Sequence, residues 1–479
     1  MRRSNLLSML TSVGFGRHCL LLLIAGCVPL HDAFAQDAGA CAVQRPVINF
    51  NRWHEDWGVL ADPCLPRKPF DQLKYVALSD DGISYLSFGA GLRERMEVNN
   101  SALFGIGGGR PATYVLQRAQ LHGDLRLGEH VQAFLQLEDA RPFRKDAVSP
   151  VDKDQLDVEQ AFVTVTGQLA SGTFKARVGR QEMAFDLQRF VSVRDGPNVR
   201  QAFDALWADW ESGQWRTIGY LTRPVQNRAA TDFDDTSNSR LTFNGIRLER
   251  KHVGPGDLSA YYSRYSRDGA KFLDASGDER RDVVDVRYAI NTDRIDWDVE
   301  IMGQGGRVGS KTISAWALGS LGGYTFADRA WKPRLGLQLD MASGDRHPGD
   351  GQVGTFSPLF PNGYYFTLAG FTGYSNLIHV KPSLTIRPSS TLTVLAALGL
   401  QWRATTADAV YAQGSAAVPG TVGRGDRWTG AYGQLRADWS INPNLVASVE
   451  AVHFQVGDTI RQAGGRNGGY LGVELKFGW

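Results

Sequence analysis

The sequence predicts an all-β fold, a single antiparallel up-and-down transmembrane β-barrel of about 18 strands. Three observations support this prediction: apolar and polar residues alternate along many segments, the connections between these segments alternate in length, and the chain begins with an export signal. A soluble β-sandwich with one solvated face would explain the first observation but not the other two.

The alternation is clearest in the stretch Tyr85–Val98. Phe88 and Leu92 fall on one parity, whereas Arg93 and Arg95 fall on the other. Period two is typical of a strand with two unlike faces. The pattern recurs in about eighteen segments, and none of them reads as a convincing amphipathic helix. Lipid requires an apolar outer face and paired backbone groups, whereas a water-filled lumen accepts charge.

The connections between the segments are alternately short and long. Short turns are predicted at Gly128-Glu129, Gly167–Gly172, Ser212–Gln214, Val253–Asp257, Asn291–Asp293, Ala327–Ala330, Pro388–Ser390 and Ile441–Asn444. Longer polar loops are predicted at Asn99–Pro111, Arg141–Gln155, Glu182–Arg200, Pro224–Asn238, Asp268–Arg280, Ser343–Gly373, Ala404–Asp426 and Gly457–Arg466, with one short loop near Gly306–Ser310. Outer-membrane barrels have tight periplasmic turns at one rim and long external loops at the other.

Residues 1–35 are predicted to form a secretory signal peptide. Basic residues precede the apolar run Cys19–Leu30, and Ala33–Ala35 has the small-x-small pattern of a signal peptidase site. The stretch Leu23–Cys27 also resembles a lipobox, so cleavage before a lipidated Cys27 is the alternative. Either cleavage accompanies export from the cytoplasm.

Residues 36–83 alternate poorly and are rich in proline and charge. We expect them to form an N-terminal segment on the periplasmic side or in the barrel mouth, followed by the barrel over residues 84–479. Cys41 and Cys64 are the two cysteines outside the signal segment, and an oxidising compartment favours a disulfide between them. Two unrelated thiols are the alternative.

The net charge gives no sign of a nucleic-acid partner. The chain has 52 basic and 50 acidic residues. Removal of residues 1–35 takes away three arginines and one aspartate, which leaves 49 residues of each sign. Because the mature chain is formally neutral, it lacks the basic surplus of a nucleic-acid-binding protein. Any charge specificity must come from the arrangement of charges.

The sequence carries no recognisable catalytic or cofactor-binding motif. It contains no GxSxG, HExxH, paired CxxC or Walker sequence, and its nine histidines lie at no metal-ligand spacing. We therefore predict no enzyme activity, no cofactor and no metal site. The stretch Ser343–Gln352 is rich in Asp and Gly and could hold calcium, but a flexible turn explains it more simply.

Four ordered segments resemble the alginate export family of outer-membrane porins. They run through "RWHEDWGVL" and "YLSFGAGLRERME" (Arg52–Glu97), "VGRQEMAFDLQRFVSVRDGPNVRQAFD" (Val178–Asp204), "FSPLFPNGYYFTLAGFTGYSN" (Phe356–Asn376) and "LQWRATTADAVY" (Leu400–Tyr411). The resemblance implies an eighteen-stranded monomeric barrel that passes an anionic polyuronate through an arginine-lined lumen. "FDA" (Phe203–Ala205) stands where the family pattern leads us to expect "FDG".

Parity and the resemblance together select candidate substrate-binding arginines in the lumen. Parity places inward a set that includes Arg93, Arg95, Arg118, Arg126, Arg403 and Arg436. The resemblance implies that Arg189, Arg194 and Arg200 fold inward and narrow the pore, and it matches Arg180 and Arg403 most directly. Arginine suits this role because its planar fork binds carboxylates bidentately and keeps its charge. The alternative for each of these arginines is an ion pair with a carboxylate of the barrel that stiffens the wall and binds no substrate.

These features predict an outer-membrane channel that passes alginate-like polyuronate or its oligomers, for export or uptake. A general diffusion porin for small solutes, and a receptor or adhesin acting through the long loops, are the alternatives. The expected partners are an anionic polysaccharide or oligosaccharide, outer-membrane lipid, a periplasmic export scaffold, and the outer-membrane assembly machinery, which recognises a terminal aromatic residue such as Trp479. We expect a monomer that crosses the outer membrane of a Gram-negative cell many times.

Overall fold

The structure, a computed structural model, describes residues 43–108 and 110–479. The predicted signal peptide lies outside the described residues. Cys41, the predicted partner of Cys64, also lies outside the described residues. Cys64 itself is disulfide-bonded. In the described part of the chain, no helix is long and apolar enough to cross a membrane.

Eighteen long strands form the sheet, and they are named β1 to β18 in chain order. Their bounds are Tyr85–Asn99, Ala112–Leu127, Val131–Phe143, Asp154–Leu169, Gly172–Glu182, Ala202–Ser212, Trp215–Gln226, Leu241–Val253, Gly256–Lys271, Ser276–Asn291, Ile295–Val308, Lys311–Thr325, Arg334–Ala342, Leu377–Ile386, Leu392–Trp402, Trp428–Asn442, Leu445–Val456 and Gly468–Gly478. The two-residue strands Val76–Ala77, Thr236–Ser237 and Gln352–Val353 extend the same sheet, and Tyr411–Ala412 pairs with Ala416–Ala417.

Helical structure is short throughout the described residues. The α-helices are α1 (Asp71–Lys74) and α2 (Asp458–Gln462). The 3-10 helices are Arg52–His54, Trp57–Ala61, Ala102–Gly108 and Gln413–Ser415.

Each long strand pairs in antiparallel fashion with its neighbours along the chain, and the sheet closes on itself. β18 pairs with β1 from Gly478 opposite Gly91 to Tyr470 opposite Asn99. Closure leaves no open edge of unpaired backbone groups, which is the condition for placing a sheet in hydrocarbon. The prediction of an all-β, closed antiparallel barrel of 18 strands is confirmed.

Side-chain burial follows the alternation along the sequence. On β1, Phe88 and Leu92 face outward and are 39% and 40% exposed. Arg93 and Arg95 face inward and are 4% and 2% exposed. An oily outer surface therefore surrounds a charged interior.

The connections distinguish two ends of the barrel. At the short-turn end the strands are joined by residues 128–130, 170–171, 213–214, 254–255, 292–294, 326–333, 387–391 and 443–444. At the long-loop end they are joined by residues 100–111, 144–153, 183–201, 227–240, 272–275, 309–310, 343–376, 403–427 and 457–467. Gly213 and Gly254 begin two-residue turns with φ of 58° and 62°, which glycine adopts without strain.

The β9–β10 connection is shorter than the sequence analysis predicts. The polar stretch Asp268–Arg280 is predicted to be a long loop, but β9 runs to Lys271 and β10 starts at Ser276. Arg267 and Glu279 form an ion pair of 3.1 Å across this hairpin. The charged residues here belong to an extension of the two strands and not to a loop, and Ala270 and Ala275 of the hairpin are buried against Val308 and Ile313.

The N-terminal segment from residue 45 to residue 83 packs against the short-turn end beside the end of the chain. Arg52 donates a hydrogen bond of 2.6 Å to the carbonyl oxygen of Trp479. The ammonium of Lys74 lies 4.4 Å from the centre of the Trp479 ring. The segment from Arg45 onward belongs to the same compact unit as the barrel.

Two loops from the long-loop end fold into the barrel, namely the β5–β6 loop (residues 183–201) and the β13–β14 loop (residues 343–376). They contribute Phe185, Phe190, Phe356, Phe360, Phe366 and Tyr374 to the main buried apolar cluster. The barrel wall contributes inward side chains such as Phe203 and Phe243, whose rings lie 5.1 Å and 5.4 Å from that of Phe360. The hydrophobic core therefore lies inside the barrel, against these two loops.

Candidate functional site

Three cationic side chains lie side by side on the inward face of three neighbouring strands. Arg93 of β1 is directly opposite Lys476 of β18 on one side and Arg118 of β2 on the other. We call these three residues the cation row. Directly opposed like charges destabilise a sheet, so the row requires compensating anions.

Two carboxylates compensate the row. Glu474 of β18 pairs with Arg93 at 2.6 Å and with Lys476 at 3.2 Å, and Asp195 comes from the tip of the β5–β6 loop. The Asp195 carboxylate accepts hydrogen bonds from Arg118 (2.5 Å), Arg200 (2.9 Å) and Lys476 (3.2 Å). Burial alone would raise the pKa of Asp195, but the charges of Arg118, Arg200, Lys476 and Arg93 hold this pKa well below its usual value. Water reaches the cluster, because the side chains of Asp195 and Lys476 are 27% and 43% exposed.

The loop tip is also held through its backbone. Arg93 donates hydrogen bonds to the carbonyl oxygens of Asp195, Gly196 and Pro197, each at 3.0 Å. Tyr364 of the β13–β14 loop donates to the Gly196 carbonyl oxygen, also at 3.0 Å. These bonds do not involve the Asp195 carboxylate, so they position the tip independently of its charge.

The other part of the β5–β6 loop is anchored to the far wall of the barrel. The Asp186 carboxylate accepts from Arg247 of β8 at 2.7 Å and lies 3.0 Å from a guanidinium nitrogen of Arg287 of β10. Arg189 is fully buried and forms an ion pair of 2.8 Å with Glu300 of β11. Because the loop starts at β5 and reaches both this wall and the cation row, it crosses the lumen.

The β13–β14 loop braces this crossing. The Tyr365 hydroxyl accepts a hydrogen bond of 2.6 Å from Arg189 and donates one of 2.8 Å to Asp340 of β13. The backbone N–H of Phe360 donates to the carbonyl oxygen of Phe190 at 3.0 Å. The two loops therefore form one connected layer of chain inside the barrel.

A second buried network lies beside the cation row on the same wall. Arg95 donates to Glu97 at 2.7 Å and to Glu474 at 3.0 Å. Its remaining terminal nitrogen donates to Glu450 and to the Tyr470 hydroxyl, both at 2.5 Å. Since all of these partners lie on β1, β17 and β18, Arg95 joins these three strands.

The predicted lumen arginines therefore occupy distinct places. Arg93, Arg118 and Arg200 converge on Asp195 and its loop, whereas Arg189 anchors the other part of that loop. Three more pair with carboxylates on the wall: Arg126 with Asp124, Arg180 with Asp204, and Arg436 with Asp438. Arg194 forms no ion pair with any described residue; it donates to the side-chain oxygen of Gln201 at 3.3 Å. A role of these arginines in substrate binding stays a prediction.

Arg403 has a different environment from the other predicted arginines. Its side chain is completely buried in the β15–β16 loop (residues 403–427), where it donates to six carbonyl oxygens, those of Thr406, Asp408, Thr421, Arg424, Gly425 and Asp426. This guanidinium organises the loop by satisfying backbone acceptors that would otherwise be buried unpaired. A substrate could reach Arg403 only after the loop had opened.

We expect Arg403→Gln to loosen the β15–β16 loop, because a glutamine amide cannot replace donors to six carbonyls. Trypsin should then cleave the folded barrel faster after the exposed residues Arg424 and Arg427. The matched control is Arg461→Gln. It removes a nearby exposed arginine whose ion pair with Asp458 is long, at 3.5 Å. Equal cleavage rates for wild type and Arg403→Gln would contradict this structural role.

Lys476 and Asp195 are absent from the set of site residues predicted from the sequence. Lys476 shares the parity of Glu474 in the last strand, but only closure of the barrel places it opposite Arg93. Asp195 lies between Arg194 and Arg200 in a loop that was expected to fold inward. A search for carboxylates within that loop could have found it.

A polar chamber of about 440 Å³ opens at the short-turn end. Asp56 and Gly58 of the N-terminal segment line it on one side, and Arg126, His130 and Gln132 of β2, β3 and their turn line it on the other. Arg126 is one quarter exposed there. The chamber gives the short-turn end a cationic side chain at a water-filled opening.

A closed barrel of 18 strands with an oily exterior, a charged lumen and inward-folded loops defines an outer-membrane channel of the porin class. The match to known families is more specific. The chain belongs to the alginate export family, whose family model, described as Alginate export, matches residues 84–474. No curated protein sequence matches the chain.

Solved structures with a similar fold include three proteins of Pseudomonas aeruginosa. OccK2 (OpdF), solved in complex with glucuronate, has a TM-score of 0.53 and 12% identity, covering 82% of this chain and 97% of its own. OpdK, solved with vanillate, has a TM-score of 0.55 and 8% identity, and OccK9 (OpdG) has 0.55 and 12%; each covers 82% of this chain and 98% of its own. At these identities the likeness concerns the fold.

Proposed function

We propose that this channel passes anionic saccharides, such as alginate-like polyuronate or its oligomers, and that the cation row binds their carboxylates on the way through. The observation that carries the proposal is the alignment of Lys476, Arg93 and Arg118 on three adjacent strands, with the Asp195 carboxylate bound against them. Three cations in register cost stability. Their alignment is explained if this place has to bind a carboxylate.

Asp195 stands where a substrate carboxylate would bind. The replacement of Asp195 by a substrate carboxylate starts at Lys476, because the ammonium of this residue is the most exposed cation of the row. As the Asp195 side chain turns away, the incoming carboxylate takes over the charge-assisted hydrogen bonds of Arg118 and Arg200. Competition from Asp195 keeps the binding weak enough for release, which conduction requires. A polyuronate carries a carboxylate on every sugar, so the exchange can repeat.

The direction of the barrel follows from its two ends. We place the short turns at the periplasm and the long loops outside the cell, as in other outer-membrane barrels. The chamber with Arg126 then faces the periplasm, and a carboxylate can meet this arginine before it reaches the cation row. The glucuronate complex of OccK2 makes glucuronate a suitable first probe for the chamber and the row.

A general diffusion porin is the second candidate function. It is favoured by the pairing of most lumen arginines with carboxylates, as for Arg126, Arg180 and Arg436. Such a wall is polar but has little free positive charge, and polar interiors are common among porins. A channel of this kind would conduct small solutes and would not be blocked by oligouronates.

The variant Asp195→Asn tests the proposed role of the cation row. It removes the internal competing charge, while the bonds from Arg93 and Tyr364 to the loop backbone keep the tip in place. Because one charge-assisted hydrogen bond is worth about 1.5–3 kcal/mol, we expect glucuronate oligomers to bind roughly tenfold more tightly. Block of ion current through a planar bilayer by added oligouronate measures this affinity.

The matched control is Asp282→Asn, which neutralises a carboxylate paired with Arg264 on exposed surface away from the row. It should leave the block unchanged. The variant Arg118→Gln should weaken the block about tenfold by the same reasoning. If Asp195→Asn and Arg118→Gln both bound oligouronate as the wild type does, the diffusion porin would be the better description.

A further inference from the structure

Four aspartates from two distant parts of the chain meet at the long-loop end. Asp154 and Asp157 begin β4, and Asp234 and Asp235 lie in the β7–β8 loop (residues 227–240). One carboxylate oxygen from each residue lies within 4.8 Å of the others. The two pairs are separated by more than seventy residues in sequence, so no local spacing motif could reveal them.

The hydrogen bonds of these carboxylates leave two oxygens without a partner. Asp157 accepts from the backbone N–H of Asp235 at 3.0 Å, and Asp235 accepts from the backbone N–H of Arg228 at 2.7 Å. Oδ1 of Asp154 and Oδ1 of Asp234 are shielded from water and have no hydrogen-bond partner. Asp154 is only 6% exposed; its Oδ2 accepts from the Asn227 amide at 3.3 Å, and one of its oxygens lies within 4.8 Å of the other three carboxylates.

The local cation does not balance this charge. Arg180 approaches Asp157 no closer than 3.7 Å, and its guanidinium is already paired with Asp204 at 3.0 Å. Four clustered carboxylates with one shared guanidinium are unfavourable, because a buried charge without a partner is costly.

We propose that Asp154, Asp157, Asp234 and Asp235 bind one calcium ion, which ties the β7–β8 loop to the start of β4. Calcium accepts six to eight oxygen ligands at about 2.3–2.6 Å, so oxygens on opposite sides of the ion are separated by up to about 5 Å. Magnesium requires about 2.0–2.1 Å, which brings opposite oxygens to roughly 4.2 Å, and it keeps several waters. Four carboxylates supplied by the protein suit calcium, which takes six to eight oxygen ligands, better than magnesium, which keeps several waters.

The bound ion would satisfy the two orphan oxygens and offset the excess negative charge. It would also hold the β7–β8 loop against β4. The backbone N–H of Phe233 in this loop already donates to the Leu156 carbonyl oxygen of β4 at 2.9 Å. The site lies beside the Arg180–Asp204 pair at the rim and not at the cation row. Its occupancy is therefore separable from carboxylate binding in the lumen.

The test measures calcium binding to the full chain folded in detergent micelles, after removal of divalent ions with a chelator. Equilibrium dialysis with radioactive calcium should give one ion per chain for the wild type and none for the double variant Asp154→Asn/Asp235→Asn. The matched control is Asp232→Asn, which neutralises an exposed aspartate of the same loop that is not in the cluster. It should still bind one ion.

A second measurement follows the loop itself. Calcium should slow tryptic cleavage after the exposed residues Arg228 and Arg240 several-fold in the wild type and in Asp232→Asn, but not in the double variant. If the double variant does not fold, the single variant Asp234→Asn replaces it and should lower the affinity. Absence of binding at millimolar calcium, unchanged binding in the cluster variants, or an equal loss in Asp232→Asn would each overturn the proposal.

Discussion

Replacing residues 187–198 of the β5–β6 loop by a short Gly-Ser linker should raise the single-channel conductance several-fold. This loop crosses the lumen between the cation row and the wall that carries Arg247 and Glu300. Barrels of 16 to 18 strands enclose a water-filled channel when their interior is not occupied by chain. Conductance in planar bilayers at fixed salt measures the change directly.

The linker variant needs a control for loop shortening as such. Removal of the exposed residues 146–148 shortens the β3–β4 loop (residues 144–153) at the same end, and it leaves in place Val151 and Asp152, through which this loop contacts Asn198 of the β5–β6 loop. Its conductance should equal that of the wild type. A folded linker variant that conducts like the wild type would show that the β5–β6 loop does not limit the pore.

The linker variant also reports on the β13–β14 loop. Loss of Arg189 removes the donor to Tyr365, and loss of Phe190 removes the partner of Phe360. We therefore expect larger current fluctuations as well as a larger mean current, because the remaining loop has lost bonds that position it. Trimming both loops should abolish these fluctuations.

The barrel could be predicted from the sequence because lipid imposes a strict rule on each strand. Oily residues must face outward, so Phe88 and Leu92 fix the outward parity of β1, and Arg93 then has to face inward. The rule fails where strands extend beyond the lipid, because no lipid then requires an oily face. The hairpin at Asp268–Arg280 is rich in charge and is predicted to be a loop, but its strands continue, and Ala270 and Ala275 of the hairpin are buried against Val308 and Ile313.

The site could be predicted only in part, because parity gives the face of a residue but not its partner. The arginines of the cation row were selected, but Lys476 is opposite Arg93 only through closure of the first and last strands. The course of a long loop is set by tertiary contacts, so nothing local indicated that Asp195 would lie against Arg118. The same limit explains the result for Arg403. Its position in the strand pattern predicted that it faces the lumen, but its guanidinium donates hydrogen bonds to carbonyl oxygens of the β15–β16 loop.

Arg95→Leu should be the most destabilising single substitution in the lumen wall. It leaves Glu97 buried with hydroxyl partners only, since the other two carboxylates keep a cation: Glu474 pairs with Arg93 and Glu450 with Arg436. Removing one partner of a buried ion pair costs about 3–5 kcal/mol. Urea unfolding of the barrel in lipid vesicles, followed by tryptophan fluorescence, measures the loss in free energy of unfolding.

The matched substitution Arg264→Leu removes an arginine whose pair with Asp282 is largely exposed, and such pairs contribute roughly 0–1 kcal/mol. If the cost of Arg95→Leu comes from the charge left on Glu97, then Arg95→Leu/Glu97→Gln should recover much of the lost stability, because a neutral amide can remain beside the Tyr114 hydroxyl. If it comes instead from lost packing, the double variant should be no more stable than Arg95→Leu. A cost equal to that of Arg264→Leu would mean that this network does not hold β1, β17 and β18 together.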